Sequence, residues 1–202
     1  MQRLTTEGKW DVKNLAKWRA VTPVSAPIAD VFRAIKTLRE ADEEEGGHAP
    51  HVLARDWGPG SMDGKDGLGV IAAVIDISHE APVYDPLGLE RAGVGYRKFP
   101  TVSKLPPTRD EVSEFLGLVD GLRKEFGNDA SEPVPHALIA VHCHYGYNRT
   151  GFFIVCYLVE RLAWRLKDAI EEFKVKRPPG IRHSHFIDEL WGRYWTRDGK
   201  RE

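Results

Sequence analysis

A cysteine and an arginine six positions apart, Cys143 and Arg149, are the residues of this sequence whose types and spacing best suit chemistry. The backbone N–H groups of residues 144–149 can line a bowl that fits a phosphate, and the glycine at 146 permits backbone angles that other residues resist. The planar guanidinium of Arg149 would hold two phosphate oxygens, where a lysine offers only a point charge. The sequence therefore predicts a phosphate-binding loop made of His144, Tyr145, Gly146, Tyr147, Asn148 and Arg149.

The position of Cys143 in this loop determines its chemistry. Backbone amides and a helix N-terminus lower the pKa of a thiol from about 8.5 to between about 3.5 and 7.5, so the residue would be a thiolate at neutral pH. Its attack on phosphorus forms a phosphocysteine that water then hydrolyses, and the hydroxyl of Thr150 can stabilise the departing thiolate. We therefore predict Cys143, Arg149 and Thr150 as catalytic residues. The alternative is an inert buried thiol, which the order of strand, glycine loop, Arg-Thr and apolar helix disfavours.

The elements on either side would position this loop. Residues 137–141 are a short aliphatic run that predicts a buried strand, whereas the apolar run 151–159 is too long for a strand and predicts a buried helix. Such a strand, loop and helix form an anion site, because N–H groups without intrahelical partners converge at the helix N-terminus. His142, Cys143 and His144 lie together at the strand end without a fourth ligand for zinc, so we expect no metal and no other cofactor.

The rest of the chain alternates strands and helices. One apolar run is continuous, as in a strand covered on both faces, and one helix opens with a Thr-Arg-Asp-Glu capping box. The alternation predicts an α/β fold with a central, mainly parallel sheet flanked by helices. The predicted elements are strands at 70–77 and 95–99 and helices at 27–38, from 108, around 166–173 and from 184.

Length and composition describe an ordinary globular chain. With 202 residues and 42% hydrophobic content, we interpret residues 1–202 as a single domain with its core at about 70–195 and a long acidic and glycine-rich loop at 41–69. A formal net charge of −1 excludes a global field that attracts nucleic acid or membranes, so any polyanion site must be local. Two cysteines placed where they cannot readily pair, and no candidate membrane span or signal peptide, predict an intracellular protein, nuclear or cytoplasmic. We also expect a monomer.

The stretch 142–151, His-Cys-His-Tyr-Gly-Tyr-Asn-Arg-Thr-Gly, resembles the signature of cysteine-dependent phosphatases. Its Gly-aromatic-Asn-Arg-Thr-Gly form is similar to that of the RNA 5′-triphosphatase domains of mRNA capping enzymes and related RNA phosphatases. The resemblance implies a cysteine-phosphatase fold and metal-independent removal of the γ-phosphate, and by extension the β-phosphate, from RNA 5′ ends. Further matching segments are 156–160, Trp164, 177–181 and 186–190, then 74–78 with Tyr84-Asp85, while 1–69 match only loosely.

The resemblance also implies roles for residues around the loop. His142 would hydrogen-bond the nearby backbone, and Asp76 would brace the loop rather than act as an acid. Relatives of the capping type carry a basic residue near the substrate phosphates after the Pro-Pro-Gly turn. Arg182 and His183 are therefore candidates for substrate contact, with an ordinary surface pair as the alternative.

Two further cations and the expected ligands complete this interpretation. Lys104, in the loop over the site, is a candidate for contact with an RNA backbone, against a role in solubility alone. Arg177 is interpreted as a cation at a helix C-terminus rather than as a phosphate ligand. Inorganic phosphate or sulfate is expected to bind in the loop.

A general acid is missing from the place where phosphatases of this kind usually carry an aspartate. The loop 99–107, after the second predicted strand, contains no acid, and Asp110 is better explained as an acid in the first turn of a helix. A nucleotide phosphate has a pKa of only about 6 and departs without a proton. A general acid is typically worth about 10² to 10⁴-fold, so its absence favours a 5′-tri- or diphosphate end over a phosphoprotein.

Two alternatives stay open from the sequence. The first is a dual-specificity or tyrosine phosphoprotein phosphatase that recruits Asp110 or another acid. The second is a module that binds phosphorylated or triphosphorylated ends with little turnover, which the presence of both nucleophile and arginine disfavours.

Overall fold

The computed structural model describes residues 11–43, 47–127 and 134–198, with side chains as far as residue 195. Within these residues the chain forms four strands and seven helices. In chain order they are α1 (Leu15–Arg19), β1 (Phe32–Ala34), α2 (Pro50–Trp57), β2 (Val70–Asp76), α3 (Leu87–Glu90), β3 (Gly95–Lys98), α4 (Arg109–Phe126), β4 (Ala137–His142), α5 (Asn148–Glu160), α6 (Leu166–Lys176) and α7 (Ser184–Asp198). No helix in this part of the chain is long and apolar enough to cross a bilayer.

The strands form one parallel sheet in the order β1-β4-β2-β3. All seven residues of β2 are buried, as expected for a central parallel strand covered on both faces. β2 and β4 end together, with Asp76 paired to His142. The segments that follow both strands therefore leave from the carboxyl edge of the sheet, where α/β proteins bind their ligands. The predicted α/β fold with a central, mainly parallel sheet is confirmed.

Helix α5 fixes the site to the core. Every residue of α5 from 149 to 159 is buried, because the helix contacts α4, α6, α7 and the sheet. Phe115 of α4, Phe173 of α6 and Phe186 of α7 belong to the same apolar cluster as α5. A smaller cluster, which includes residues of α2 and α3, packs on the other face of the sheet. The N-terminus of α5 is therefore held rigidly against the end of β4.

The elements nearest the site were predicted correctly. The capping box of α4 is present: Thr108 Oγ1 accepts a hydrogen bond from the Glu111 N–H at 3.1 Å, and the Glu111 carboxylate accepts one from the Thr108 N–H at 2.6 Å. The predicted strands at 70–77, 95–99 and 137–141 are β2, β3 and β4, and the helices predicted from 108, 151, 166 and 184 are α4, α5, α6 and α7.

The helix predicted at 27–38 is wrong, because this segment contains strand β1. Ala29 and Asp30 have φ values of 50° and 52°, which a right-handed helix does not allow. Every residue from 31 to 38 is buried, and in a segment buried on all sides apolar spacing does not separate helix from strand. Pairing with β4 decides the conformation.

The predicted loop at 41–69 is interrupted by α2, which begins at Pro50 and buries Val52 and Leu53. Residues 44–46 of its acidic part lie outside the described residues, as do residues 128–133 of the polar loop before β4. The core also starts earlier than the predicted 70–195, since Trp18 and Phe32 are fully buried. Helix α2 and the early part of the core were misjudged because their apolar residues are buried by long-range packing that local spacing does not reveal.

Candidate active site

The loop between β4 and α5 is shaped by one glycine. Gly146 has a φ of 70°, a left-handed conformation that favours glycine. A Cβ at this position would lie 2.2 Å from the carbonyl oxygen of Ile35 and 3.2 Å from Arg177 Nη2. The Thr37 N–H also donates to the carbonyl of His144 at 3.0 Å. The chain that follows β1 therefore supports the loop from behind, and no side chain fits at position 146.

Cys143 lies at the start of this loop with 7% of its surface exposed. Burial raises the pKa of its thiol, but the positive charge of Arg149 opposes burial. The nearby Thr150 hydroxyl and the N–H groups of Thr150 and Gly146 act in the same direction, and the pKa of Cys143 falls below its ordinary value. Because lowering the pKa favours the thiolate, the environment of Cys143 is that of an activated nucleophile.

Thr150 is fully buried beside the cysteine. Its Oγ1 has no partner that meets ordinary hydrogen-bond geometry, yet the hydroxyl lies close enough to the Cys143 sulfur to help lower the thiol pKa. The donor is therefore available to the sulfur and to no other group among the described residues. This placement suits the stabilisation of a thiolate.

The guanidinium of Arg149 is fixed on one side only. Nη1 donates to the carbonyl of Ile77 at 3.1 Å and to the carbonyl of Thr101 at 2.8 Å. Nε and Nη2 have no hydrogen-bond partner in the described part of the chain. The fork is thus preorganised near Cys143 with donors left over, which is the arrangement that a bidentate phosphate contact requires.

His142 is fully buried and links the loop to the sheet. Its Nδ1 donates to the Cys143 carbonyl at 2.9 Å, and its Nε2 accepts from the Tyr84 hydroxyl at 2.7 Å. Burial lowers the pKa of His142, against the raising effects of Asp76 and of the hydrogen bond to the Cys143 carbonyl. These contacts suit the predicted supporting role.

Asp76, at the end of β2, is fully buried and surrounded by donors. It accepts hydrogen bonds from the Ser78 N–H at 2.9 Å, the Tyr96 hydroxyl at 3.0 Å and Lys98 Nζ at 2.9 Å. Burial raises the pKa of Asp76, but His142, the hydrogen bond from Ser78 and the charge of Lys98 outweigh burial and lower it. Asp76 is therefore a carboxylate that ties together the ends of β2 and β3 and has no proton to donate at neutral pH.

Two buried cations lie near the loop, of which Arg177 was predicted only as a cation at a helix C-terminus and Lys36 was not predicted. Arg177 is 1% exposed, and its Nη2 donates to the Tyr145 carbonyl at 2.9 Å, so it is more than a cation at the end of a helix. Burial lowers its pKa to about 10, which leaves it charged at neutral pH. Lys36 is 3% exposed, donates to the Trp18 carbonyl at 3.1 Å, and has a pKa that burial lowers to about 8. Lys36 was missed because a helix was wrongly predicted at 27–38. The contact of Arg177 with the loop could have been inferred from its place in the Arg-Pro-Pro-Gly turn.

The candidate substrate contacts lie at the rim. Asn148 Oδ1 accepts from the Arg182 N–H at 2.7 Å and from the His183 N–H at 3.1 Å, so the Pro-Pro-Gly turn is attached directly to the loop. Both side chains are exposed, and the Arg182 guanidinium lies 5.8 Å from the Tyr147 ring centroid. The exposed Lys104 is linked to the same region through its carbonyl, 3.0 Å from His185 Nε2. The structure thus brings Arg182 and His183 to the loop.

Of two acidic residues that bear on the identity of a general acid, Asp110 was named from the sequence and Glu80 was not. Asp110 is exposed in the first turn of α4, as its place in the capping box indicates, and no hydrogen bond or ion pair joins it to the loop in the part of the chain that the structure describes. Glu80, which follows β2, was not considered. Lys13 Nζ lies 3.2 Å from its carboxylate, and this hydrogen bond, with smaller effects that include the charge of Arg149, lowers the Glu80 pKa. Within the described residues, no group of three or more His, Cys, Asp or Glu side chains could hold a metal.

Two surface cavities lie away from the phosphate loop. A cleft of about 1020 Å³ opens at the amino end of β4, beside Ala137 and Leu138, and a shallower one of about 460 Å³ lies at Arg55 and Lys65. Neither cavity contains a residue of the phosphate loop. A phosphate held by a bowl of main-chain amides does not need a deep apolar pocket, so loop geometry identifies this site better than cavity size does.

Comparisons with known proteins agree with this geometry. The family model described as "Dual specificity phosphatase, catalytic domain" matches residues 129–194. An mRNA-capping enzyme of Danio rerio is 32% identical over 184 residues, which are 88% of this chain and 28% of that protein. The chain thus spans less than a third of that relative's length.

Two shorter relatives match a smaller part of the chain. A tyrosine-protein phosphatase of Autographa californica nuclear polyhedrosis virus is 32% identical over 120 residues, 59% of this chain and 67% of that protein. An RNA/RNP complex-1-interacting phosphatase of Bos taurus is 34% identical over 121 residues, 59% of this chain and 34% of that protein.

A solved structure confirms the fold. The crystal structure of Tk-PTP in the active form superposes with a TM-score of 0.59 at 19% identity, over 89% of this chain and 99% of that one. Together with the sequence relatives, this confirms the resemblance found in the loop. The chain belongs to the cysteine-dependent phosphatase superfamily, and its residues 129–194 match the dual-specificity catalytic domain.

Proposed function

We propose that this phosphatase removes the terminal phosphate from RNA 5′-triphosphate ends, and by extension from 5′-diphosphate ends, without a metal. The observation that carries the proposal is the state of the acids near the loop. Asp76 and Glu80 are each paired with a lysine, at 2.9 and 3.2 Å, and both have lowered pKa values. An acid that is already ionised cannot protonate a leaving group, so a substrate whose leaving group needs no proton fits best.

In the proposed reaction, the Cys143 thiolate attacks the terminal phosphorus. The S–P bond forms while the P–O bond to the next phosphate breaks, and the electron pair of that bond stays on the departing phosphate oxygen. Arg149 and the amides of residues 144–149 hold the oxygens of the transferred group. Water then attacks the phosphocysteine, its proton passes to solvent, and sulfur leaves as a thiolate to which Thr150 donates a hydrogen bond.

The leaving group distinguishes the candidate substrates. A phosphate leaving group has a pKa of about 6, whereas the tyrosine released from a phosphoprotein has a pKa of about 10. Without a general acid, the second reaction forgoes a factor of about 10² to 10⁴. The names of two relatives, a capping enzyme and an RNA/RNP complex-1-interacting phosphatase, support an RNA substrate.

A phosphoprotein is the second candidate substrate. It is supported by the viral tyrosine-protein phosphatase, of which this chain covers 67%. In that case a proton donor would have to come from a group other than Asp76 or Glu80, and Asp110, exposed in the first turn of α4, is the candidate.

The test compares three substrates in EDTA: triphosphate-ended RNA, a small aryl phosphate and a phosphotyrosyl peptide. We expect kcat/KM for the RNA to exceed that for the other two by about 100-fold or more, the lower value of a missing general acid. Cys143→Ser protein serves as the blank. Faster turnover of the peptide or the aryl phosphate would overturn the proposal in favour of the second candidate.

A further inference from the structure

The segment that contains α1 runs along the phosphate loop and brings two lysines to its rim. His144 Nε2 donates to the carbonyl of Lys13 at 2.9 Å, and Lys17 Nζ lies 5.1 Å from the Tyr145 ring centroid. Trp18 anchors the segment, since it is fully buried and its Nε1 donates to the Thr37 carbonyl at 2.9 Å. The segment is therefore fixed to the same chain that supports the loop from behind.

Lys13 also reaches across to the segment after β2. Its Nζ lies 3.2 Å from the Glu80 carboxylate, and the two side chains are 50% and 71% exposed. The Glu80 carbonyl accepts from Lys98 Nζ at 2.7 Å, which fixes the backbone of this partner. Besides Lys13, the charge of Arg149 acts on Glu80 and lowers its pKa. The Lys13–Glu80 pair therefore lies within electrostatic range of the guanidinium that faces the phosphate site.

We propose that Lys13 binds the second phosphate of a polyphosphate whose terminal phosphate occupies the loop, with Lys17 beside the phosphate that follows. This inference rests on the proposed function and adds a subsite to it. An exposed ion pair such as Lys13–Glu80 contributes little by itself. A phosphate brings a charge of about −1.5 to −2 and three acceptor oxygens, so it competes with the Glu80 carboxylate for the three N–H donors of Lys13.

The charge balance of the chain means that any attraction of a polyanion must come from local cations. The formal net charge is −1, so no general positive field draws a polyanion to this surface. A small aryl phosphate has no second phosphate and gains nothing from Lys13. The subsite therefore selects polyphosphate ends over monoesters, in addition to the selection by leaving group.

The experiment measures binding in Cys143→Ser protein, so that no turnover occurs. Calorimetry gives the Kd of inorganic tripolyphosphate and of orthophosphate. Lys13→Ala is expected to weaken tripolyphosphate binding about 10-fold more than orthophosphate binding, the loss of roughly 1.4 kcal/mol. Glu80→Gln frees Lys13 and is expected to strengthen tripolyphosphate binding a few-fold. The matched control is Lys65→Ala, a lysine 53% exposed and 3.0 Å from the Asp56 carboxylate, remote from the loop.

The inference is overturned if Lys13→Ala changes the ratio of the two Kd values no more than Lys65→Ala does, or if Glu80→Gln weakens tripolyphosphate binding. Its failure is separable from failure of the proposed function. Hydrolysis of triphosphate-ended RNA by the unmodified protein tests the function, whereas the Lys13 effect on tripolyphosphate binding tests the subsite. A Lys13 effect without RNA hydrolysis would support the subsite and overturn the RNA substrate.

Discussion

The surroundings of the two cysteines are alike in burial and opposite in effect. Cys143 is 7% exposed and Cys156 fully buried, 13 residues apart on either side of the α5 N-terminus. The pKa of Cys143 is lowered, because Arg149, Thr150 and the loop amides outweigh its burial. Burial raises the pKa of Cys156 to about 12, because the lowering effect of the Tyr194 hydroxyl is smaller than the raising effect of burial.

The difference shows that burial alone does not make a thiol inert, because the hydrogen-bond donors and charges around the sulfur determine its pKa. Cys156 lies within α5, whose own N–H groups are used in the helix and whose neighbours are apolar. Cys143 lies before the helix, where N–H groups have no helical partner and a guanidinium is close. The same residue type thus has a lowered pKa at one end of α5 and a raised pKa in its middle.

The largest expected effect separates the two cysteines directly. Cys143→Ser should reduce kcat/KM by about 10⁴-fold or more, as loss of a nucleophile does. Cys156→Ala should leave kcat/KM within about twofold and reduce the free energy of unfolding by about 1 kcal/mol through a small cavity. Steady-state kinetics and urea unfolding measure both. Comparable activity losses in the two variants would contradict the assignment of different roles to the two cysteines.

The next effect concerns the charge above Cys143. Arg149→Lys keeps the charge but loses the bidentate fork and the anchoring to Ile77 and Thr101. We expect kcat to fall by about 10² to 10³-fold. The control is Arg161→Lys at the other end of α5, where Arg161 is 39% exposed and pairs with Asp120 at 2.7 Å. A wild-type rate in Arg149→Lys would show that the fork is not needed.

A methyl group in the loop should have a somewhat smaller effect. Gly146→Ala forces a left-handed residue against the carbonyl of Ile35 and moves the loop amides. We expect activity to fall about 10²-fold, because a displacement on the order of 1 Å costs that much. Gly121→Ala, in α4 with open space around it, is the control. Equal activity in the two variants would mean that the loop tolerates a side chain.

The smallest effect tests the donor to sulfur. Thr150→Val removes the hydroxyl with little change of shape and should slow hydrolysis of the phosphocysteine about 10-fold, roughly 1.4 kcal/mol of barrier. Rapid-quench kinetics should show a burst of product followed by a slow phase. Thr150→Ser should restore the wild-type rate. If Val and Ser variants behave alike, the hydroxyl plays no part in this step.

The loop and its flanking elements could be predicted because local signals agree there. The aliphatic run of β4, the glycine at 146 and the apolar length of α5 each determine one part of the anion site. β1 could not be predicted, since a fully buried segment carries no periodic signal and its pairing partner lies about 100 residues away, as in Phe32 with Ile139. Lys13 was missed for the same reason, because a contact distant in sequence, from His144 Nε2 to the Lys13 carbonyl, brings it to the loop.

The pH dependence of alkylation at the two cysteines tests the central claim most directly. The folded protein is treated with iodoacetamide between about pH 5 and 10, and the labelling rate of each cysteine is followed by peptide mass spectrometry. Because the pKa of Cys143 is lowered, its labelling should persist as the pH falls, with a midpoint below the roughly 8.5 of a free thiol, while Cys156 stays unlabelled. A Cys143 midpoint at or above that value, or equal labelling of the two cysteines, would contradict the account.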